Sequence, residues 1–548
     1  MKREELVQLW MALGLVQADE ERNKEMEDVG NDIFQILVSN SLFQDVERDE
    51  YGNISHCSMH DLVHDLSLSL SKHESFCLVD ATNDDIACIP QVKHLAFYQQ
   101  NEDDNFKAKV SMLIERNTVA RTLHTLFIKV EVKKKFSFQG LKCIRILKLN
   151  GFSIEMLDDS IGGLVHLRYL DLSFTRISVL PESIGKLYHL QTLKLQGCDD
   201  LKFPEAMRNL ISLRYFMCDK DIPTYVLGQL IYLRKLSSVK VVGRKGHGIE
   251  ELRHLNNLTG SLCISHLENV ISKEDAVKAD LYRKKNLNKI EFIWSEYDRG
   301  ANRNDVGVLA GLQPPRDVKK LTIINFSGDN FPDWVMKMAI HIEGKWTPLD
   351  KLVEIRLSGC SSCLSLPTLE HLPHLRELEL LGMDNLTWLR SCDVTGSTKP
   401  LSPSLRSLKL NCMYRLEKWI DGAPNSSKMI SPVLEKLVIE NCPKIILLDE
   451  CHPHPLVSLY IYNCSGLVSI TSIQGLTSLE SLNIFSFAFL NDLRVGPFSK
   501  EFDSFPSLQG IQKLRDHLHS LELRGWDHME SIPEEIQHLT SLTRLYIY

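Results

Sequence analysis

One arrangement of apolar positions recurs along most of the chain: an apolar residue, a second three positions later, and a third two positions after that. Leu167, Leu170 and Leu172 show it, and Leu190, Leu193 and Leu195 repeat it 23 residues later. The frame begins again at Leu352, Leu375, Leu405, Leu434, Leu456, Leu479, Leu518 and Leu542, with weaker copies at Leu123, Ile144, Leu213, Leu233, Leu287 and Val318. Because the last two apolar residues alternate with a polar one, each copy predicts a short strand with one buried face.

Several copies place a cysteine three residues after the third apolar position, at Cys198, Cys360, Cys442 and Cys464. This is the leucine-rich repeat template, and each copy has an apolar face that is buried only by stacking on its neighbour. The predicted fold is an α/β solenoid, an irregular leucine-rich-repeat horseshoe with a parallel sheet on its concave side. Roughly sixteen imperfect copies fill residues 121–548. The last frame runs to the end of the chain, so we expect an array truncated at its C-terminus.

Residues 1–75 lack this frame and follow other periodicities. Leu6, Leu9, Trp10 and Leu13 have helical spacing, as do apolar residues at 29–37 and after Asp61. Alternating residues at 42–46 and 54–57, around a turn at 49–53, predict a hairpin. Two helices, a β-wing and another helix form a small α/β unit, a partial winged-helix segment over 1–75. A less regular connector follows over 76–120.

Composition and charge narrow the class of protein. The chain has 63 basic and 71 acidic residues, a formal net charge of −8 with both signs scattered, which argues against a nucleic-acid partner. No apolar run reaches the ~18–20 residues that a membrane helix needs, and no secretory signal is recognisable. The 14 cysteines are therefore expected to be reduced thiols of a cytoplasmic protein.

Motifs for catalysis and metal binding are weak. Cys360 and Cys363 form a single C-x-x-C pair inside a repeat, whereas zinc needs four ligands, so no metal site is expected. No stretch matches the phosphate cradle G-x-x-x-x-G-K-[ST], and Gly243–Gly248 has the wrong spacing. No arrangement of nucleophile and base is recognisable. We expect this chain not to be an enzyme and to hold no cofactor by itself.

Several short segments carry a family resemblance. Residues 5–14 read ELVQLWMALG, 26–30 read MEDVG, 41–46 read SLFQDV and 59–66 read MHDLVHDL. Together with LCISHLENV at 262–270 and FPDW at 331–334, they resemble plant coiled-coil NLR (NB-ARC–LRR) disease-resistance proteins over nearly the whole chain. The first group is similar to the end of their nucleotide-binding module. Leu13 departs from the pattern, because the family commonly has an acidic residue before the glycine.

The resemblance implies an immune sensor that exchanges ADP for ATP when its repeats detect a pathogen effector or a guarded host protein. In that family the histidine of Met-His-Asp touches the phosphates of ADP. This role maps onto His60, with Met59 and Asp61 positioning it, and it requires a nucleotide-binding domain as intramolecular partner. The chain is expected to be the C-terminal portion that lacks the P-loop domain, so ADP or ATP belongs to the full-length family.

The frame also predicts which side chains face a protein partner, because residues two, four and six positions after the first apolar residue point to the concave side. The candidates are Lys409, Glu440, Tyr460, Tyr462, Phe485, Arg544 and Tyr546. Aromatic residues are enriched at interface hot spots, but they equally serve to cover a sheet. Two alternatives to a receptor stay open: a repeat adaptor without a nucleotide switch, and a non-functional truncated paralogue.

Overall fold

The computed structural model describes residues 1–48, 54–79, 92–98, 122–129, 138–150, 154–198, 200–244, 246–296, 304–391, 401–421, 431–445, 455–464, 478–485, 511–524 and 534–547. The chain forms two compact units, Met1–Thr259 and Gly260–Tyr548. None of the helices in the described ranges has the length and hydrophobicity that crossing a membrane requires.

The first unit opens with three helices and a hairpin. They are α1 (Arg3–Leu13), α2 (Met26–Ser39), β1 (Phe43–Arg48), β2 (Ile54–Met59) and α3 (Asp61–Ser71). β1 and β2 are antiparallel, as the alternating pattern predicted, and the predicted turn at 49–53 lies outside the described residues. Phe34 of α2 is fully buried and packs with Phe43 and Ile54 of the hairpin. The predicted winged-helix segment is therefore present at the N-terminal end.

Local signals explain where the first two helices end and begin. α1 ends at Gly14, whose φ of 81° is a left-handed conformation that glycine adopts without steric cost. α2 begins with a capping box between Glu25 and Asp28. The two helices cross closely, because a Cβ on Gly30 would lie 2.6 Å from Val7 Cγ1.

A parallel sheet occupies the rest of the first unit. The strands of the unit are β3 (Ser75–Val79), β4 (His94–Tyr98), β5 (Thr125–Lys129), β6 (Ile146–Leu149), β7 (Tyr169–Asp171), β8 (Thr192–Leu195), β9 (Tyr215–Cys218), β10 (Ile222–Pro223), β11 (Lys235–Leu236) and β12 (Ser238–Lys240). All of them except β10 and β12 belong to this sheet. The order is β11-β9-β8-β7-β6-β5-β4-β3, and β10 pairs with β12. β5, β6, β7, β8, β9 and β11 lie within the frames that begin at Leu123, Ile144, Leu167, Leu190, Leu213 and Leu233.

The sheet begins earlier than the pattern predicted. β3 pairs in parallel with β4, and β4 with β5, so residues 76–79 and 94–98 of the predicted connector belong to sheet strands. Val92, Leu95 and Phe97 occupy the three frame positions and are buried. Only the middle position of this copy is a leucine, so its sequence signal is weak.

The second unit continues the repeats. Its strands are β13 (Gly260–Ser265), β14 (Leu287–Ile293), β15 (Lys320–Ile324), β16 (Ala339–Ile342), β17 (Lys345–Pro348), β18 (Glu354–Ser358), β19 (Glu377–Leu381), β20 (Trp388–Ser391), β21 (Ser407–Asn411), β22 (Lys418–Asp421), β23 (Lys436–Glu440), β24 (Ser458–Tyr462), β25 (Ser481–Phe485), β26 (Ser520–Arg524) and β27 (Arg544–Ile547). Short helices α4 (Lys273–Val277), α5 (Asp305–Gly311) and α6 (Asp333–Met336) lie between them.

The strands of this unit pair in the order β13-β14-β15-β18-β19-β21-β23-β24-β25-β26-β27, and all of these pairs are parallel. β16 and β17 form an antiparallel hairpin, and β20 pairs with β22. The uninterrupted parallel register is what stacked repeats require, because each copy contacts only its neighbours.

The frame residues form the core of each unit. Leu167, Leu170 and Leu172 are all fully buried. The cysteines link neighbouring coils: Cys198 Sγ donates to the Leu172 carbonyl at 3.4 Å, and Cys464 Sγ to the Ile439 carbonyl at 3.6 Å. Each of these thiols therefore donates a hydrogen bond to the backbone of the preceding repeat.

The residue seven positions after the first apolar one adopts a left-handed backbone in eight repeats. These residues are Phe174, Gly197, Asn325, Gly359, Gly382, Cys412, Asn441 and Asn463. Glycine and asparagine tolerate this conformation, whereas other residues pay a steric penalty. Phe174 and Cys412 are therefore strained positions in an otherwise well-matched series.

Candidate functional site

The winged-helix segment covers part of the repeat sheet in the first unit. The face that carries positions two, four and six is called the concave face here. Ala12 of α1 packs with Ile146 and Tyr169 of that face, and Val7 and Met11 pack with Tyr215. In addition to these apolar contacts, two charged sites join the winged helix to the sheet.

The first site holds the carboxylate of Glu5, which projects from α1. Lys148 Nζ donates to Glu5 Oε1 at 2.7 Å, the Tyr169 hydroxyl donates at 3.3 Å, and Lys194 Nζ lies at 3.8 Å. Burial by itself raises the pKa of this carboxyl, but the hydrogen bond from Lys148 and the charge of Lys194 hold the pKa below its ordinary value. Glu5 is therefore ionised at neutral pH.

The second site holds Glu27, in the first turn of α2. Arg214 donates from Nε to one carboxylate oxygen at 2.6 Å and from Nη2 to the other at 2.7 Å. Arg234 Nη1 donates at 2.6 Å and the Tyr215 hydroxyl at 3.3 Å. The side chains of Glu27 and Arg214 are 9% and 7% exposed. Burial raises the pKa of Glu27, but the bond and charge of Arg214 outweigh this and lower it.

Three weaker contacts surround these sites. Glu25 accepts from Arg214 at 2.7 Å, and Glu4 from Lys235 at 2.6 Å. Both glutamates are at least two-fifths exposed, so each pair contributes little. Arg145 Nη1 donates to the Leu13 carbonyl at 2.6 Å, where a cation complements the negative end of α1.

The two sites have the same composition. In each, a tyrosine hydroxyl and two cations from the repeats surround one carboxylate from the winged helix. A buried charge left without its partner costs roughly 3–5 kcal/mol. The docked position is therefore specific, because sliding either helix would strand a glutamate or a pair of cations. The same feature makes docking sensitive to a single change of charge.

The Met-His-Asp residues lie at the start of α3. His60 caps this helix, since its Nδ1 accepts from the Leu62 amide at 3.3 Å, and the Ser67 hydroxyl approaches Met59 Sδ at 4.0 Å. Asp61 is exposed. The cap accounts for a histidine at this position structurally, and the nucleotide-sensing role of these residues stays a prediction.

The predicted binding residues lie on five strands of the second unit. Lys409 and Glu440 approach to 3.5 Å across β21 and β23. The rings of Tyr460 and Tyr462 lie 5.1 and 6.2 Å from that of Phe485. Phe485 is only 8% exposed, so it supports the two tyrosines more than it offers a surface. On β27, Arg544 and Tyr546 are exposed.

Sequence reasoning missed the docking contacts. In the earlier repeats, the concave positions of the same frame include Lys148, Tyr169, Lys194 and Tyr215. A run of cations and tyrosines on four consecutive concave strands was the available signal. It indicated an acidic partner, but not that the partner lay within the same chain.

Comparisons with known proteins agree with this architecture. A family model described as the disease resistance protein winged helix domain matches residues 1–67, and one described as R13L1/DRL21 LRRs matches residues 249–383. Disease resistance proteins RGA4, RGA1 and RGA2 of Solanum bulbocastanum are 34%, 31% and 29% identical over 88%, 88% and 91% of this chain.

These matches cover 44%, 44% and 47% of the three relatives, so the chain spans less than half of their length. Among solved structures, the LRR protein LIC12759 of Leptospira interrogans is 18% identical, with 67% of this chain and 85% of that chain covered and a TM-score of 0.37. This score is too low to support an argument.

Proposed function

Since the chain is homologous to plant disease-resistance proteins in its winged helix and its repeats, we propose that it is part of a cytoplasmic plant immune receptor. In this proposal the repeats recognise a pathogen effector or a guarded host protein. They also hold the winged helix in a resting position and so restrain activation. The proposed function includes no catalytic step.

The observation that carries the restraint is the seating of Glu5 and Glu27 in the two sites of the concave face. Apolar packing alone would join the segments without making the junction switchable. Buried ion pairs differ, because the loss of one partner turns a stabilising contact into an unpaired charge. A partner that displaces one glutamate would therefore shift the winged helix from bound to free.

Two features of α3 support a link between this movement and a nucleotide. Leu62, Leu66 and Leu70 are 74%, 58% and 76% exposed, so this helix presents an apolar side that the described residues do not cover. His60 lies at its first turn. By the family resemblance His60 would face ADP, and release of α1 and α2 from the repeats would let His60 move.

The test is a charge swap read by hydrogen exchange. Glu27→Arg should remove the protection of amides in α1 and α2, because an arginine would face Arg214 and Arg234. Adding Arg214→Glu and Arg234→Glu should restore protection. Glu47→Arg is the control, since the Glu47 side chain is 74% exposed on the hairpin.

A second readout concerns signalling. In a receptor with its nucleotide-binding domain restored, Glu27→Arg should cause leaf cell death without a pathogen. The variant that also carries Arg214→Glu and Arg234→Glu should cause no cell death. His60→Ala should also activate. A Glu27→Arg receptor that loses docking yet stays silent would favour the adaptor alternative.

A further inference from the structure

We propose that the concave face of the first-unit repeats is a receptor for an acidic protein segment with two carboxylates about 10 Å apart, and that this segment competes with the winged helix. The inference rests on the proposed function, because the face becomes available only when the winged helix leaves it. It adds the chemistry and spacing of the displacing partner.

Each charged site is complete without the winged helix except for the carboxylate itself. Tyr169, Lys148 and Lys194 make the first, and Tyr215, Arg214 and Arg234 make the second. The fork of Arg214 binds Glu27 through two parallel bonds, a geometry that fits a planar carboxylate. Glu5 and Glu27 thus act as built-in ligands of sites that belong to the repeats.

Once the winged helix leaves, the positive charges around the two sites favour the binding of another anion. Cations of the repeats that reach the winged helix include Arg145, Lys148, Lys194, Arg214, Arg234 and Lys235. The carboxylate of Asp171 lies 3.7 Å from Lys148 Nζ. Vacating both sites leaves like charges side by side on neighbouring strands. An acidic segment would relieve this repulsion, and a neutral or basic one would not.

The sheet sets the spacing of the ligand. Tyr169 is on β7 and Tyr215 on β9, with β8 between them, so the two sites lie two strand spacings apart, about 10 Å. An extended chain rises about 3.3 Å per residue, so acids at positions i and i+3 span this distance. A polyproline II segment keeps i and i+3 on one face, because it has three residues per turn. The fitted partner is a segment of the form Glu-x-x-Glu in an extended loop.

The probes are two labelled peptides of equal charge. One contains Glu-Pro-Pro-Glu and the other Glu-Glu-Pro-Pro in the same glycine-serine background, and binding is followed by fluorescence anisotropy. The protein is the full chain carrying Glu5→Lys and Glu27→Lys. Its control carries Glu20→Lys and Glu21→Lys, which changes the net charge equally at exposed positions.

We expect the Glu5/Glu27 variant to bind the Glu-Pro-Pro-Glu peptide at least about tenfold more tightly than the wild type does. In the wild type, docking of the winged helix leaves only a fraction of the molecules with vacant sites for the peptide. The control variant should match the wild type. The Glu-Glu-Pro-Pro peptide should bind more weakly. Adding Arg214→Gln should abolish the difference in affinity between the two peptides. Affinity should fall as salt rises. If the lysine variant unfolds by circular dichroism, Glu5→Gln with Glu27→Gln replaces it, since it removes the ligands without adding repulsion.

Hydrogen exchange of α1, measured first, separates the two proposals. Retained protection in both the lysine and glutamine variants would contradict the restraint and this inference together. Lost protection without preference for the Glu-Pro-Pro-Glu peptide would overturn this inference and leave the restraint standing. A single-stranded oligonucleotide that binds the variant more tightly than the peptide would overturn it as well, because a phosphate backbone would then be the better ligand.

Discussion

Glu27 and Arg214 are 187 residues apart in the chain, yet their side chains form a two-pronged ion pair with bonds of 2.6 and 2.7 Å. One residue stands in the first turn of a winged-helix element and the other beside a strand of the repeat sheet. Because both are nearly excluded from water, the contact ties the stability of one segment to the integrity of the other.

Removal of the Glu27 charge should release α2 from the repeats. Glu27→Gln leaves the buried Arg214 with only the half-exposed Glu25 as a carboxylate partner, and it should lower the free energy of unfolding by about 3 kcal/mol. Urea denaturation measures this. Glu47→Gln, on the exposed hairpin, should change it by less than about 0.5 kcal/mol. Equal effects for the two variants would contradict the importance of the site.

Acid should weaken the docked state through the same two glutamates. The native pKa of both Glu5 and Glu27 is lowered from 4.5, so the stabilisation is fully present above pH 4.5 and is lost as the pH falls towards the lowered values. The difference in unfolding free energy between the wild type and a Glu5→Gln, Glu27→Gln variant should be constant from pH 8 to 5 and shrink below 4.5. A difference that persists unchanged at low pH would oppose this assignment.

Phe174 should be improved by replacement. It adopts a φ of 59° and is 68% exposed, so Phe174→Asn relieves strain while little packing is lost, and stability should rise by about 1 kcal/mol. Thermal unfolding is the measurement. Tyr188→Asn, at a comparably exposed position outside the left-handed region, should not stabilise. A loss of stability in Phe174→Asn would show that the ring has a packing role.

Gly30 should tolerate a side chain only if the facing side chain of α1 becomes smaller or α1 moves away. A Cβ at this position would lie 2.6 Å from Val7 Cγ1, so Gly30→Ala should destabilise the winged helix by about 1–3 kcal/mol. Val7→Ala in the same chain should recover part of the loss, because it removes the methyl group that clashes. Additive effects of the two changes would indicate that the helices do not meet at this point.

The periodic elements could be predicted from the sequence because their cause is local. A buried strand face needs apolar residues two positions apart, and a stacked repeat needs that pattern again in the next coil. Leu167, Leu170 and Leu172 carry this information by themselves. The same reasoning located α1, α2 and the hairpin. It missed β4, where only the middle residue of Val92, Leu95 and Phe97 is a leucine.

The position of the winged helix on the sheet was decided only by the tertiary structure. Nothing local distinguishes Glu5 or Glu27 from a solvated glutamate in the first turn of a helix, where such residues are common. The role of Glu5 depends on Lys148 and Tyr169 reaching it from strands far along the chain, and that of Glu27 depends on Arg214 and Tyr215. A periodic pattern specifies which face of an element is buried. The pairing of charges that lie 143 to 231 residues apart is specified by shape and electrostatics together, and these exist only once the sheet has formed.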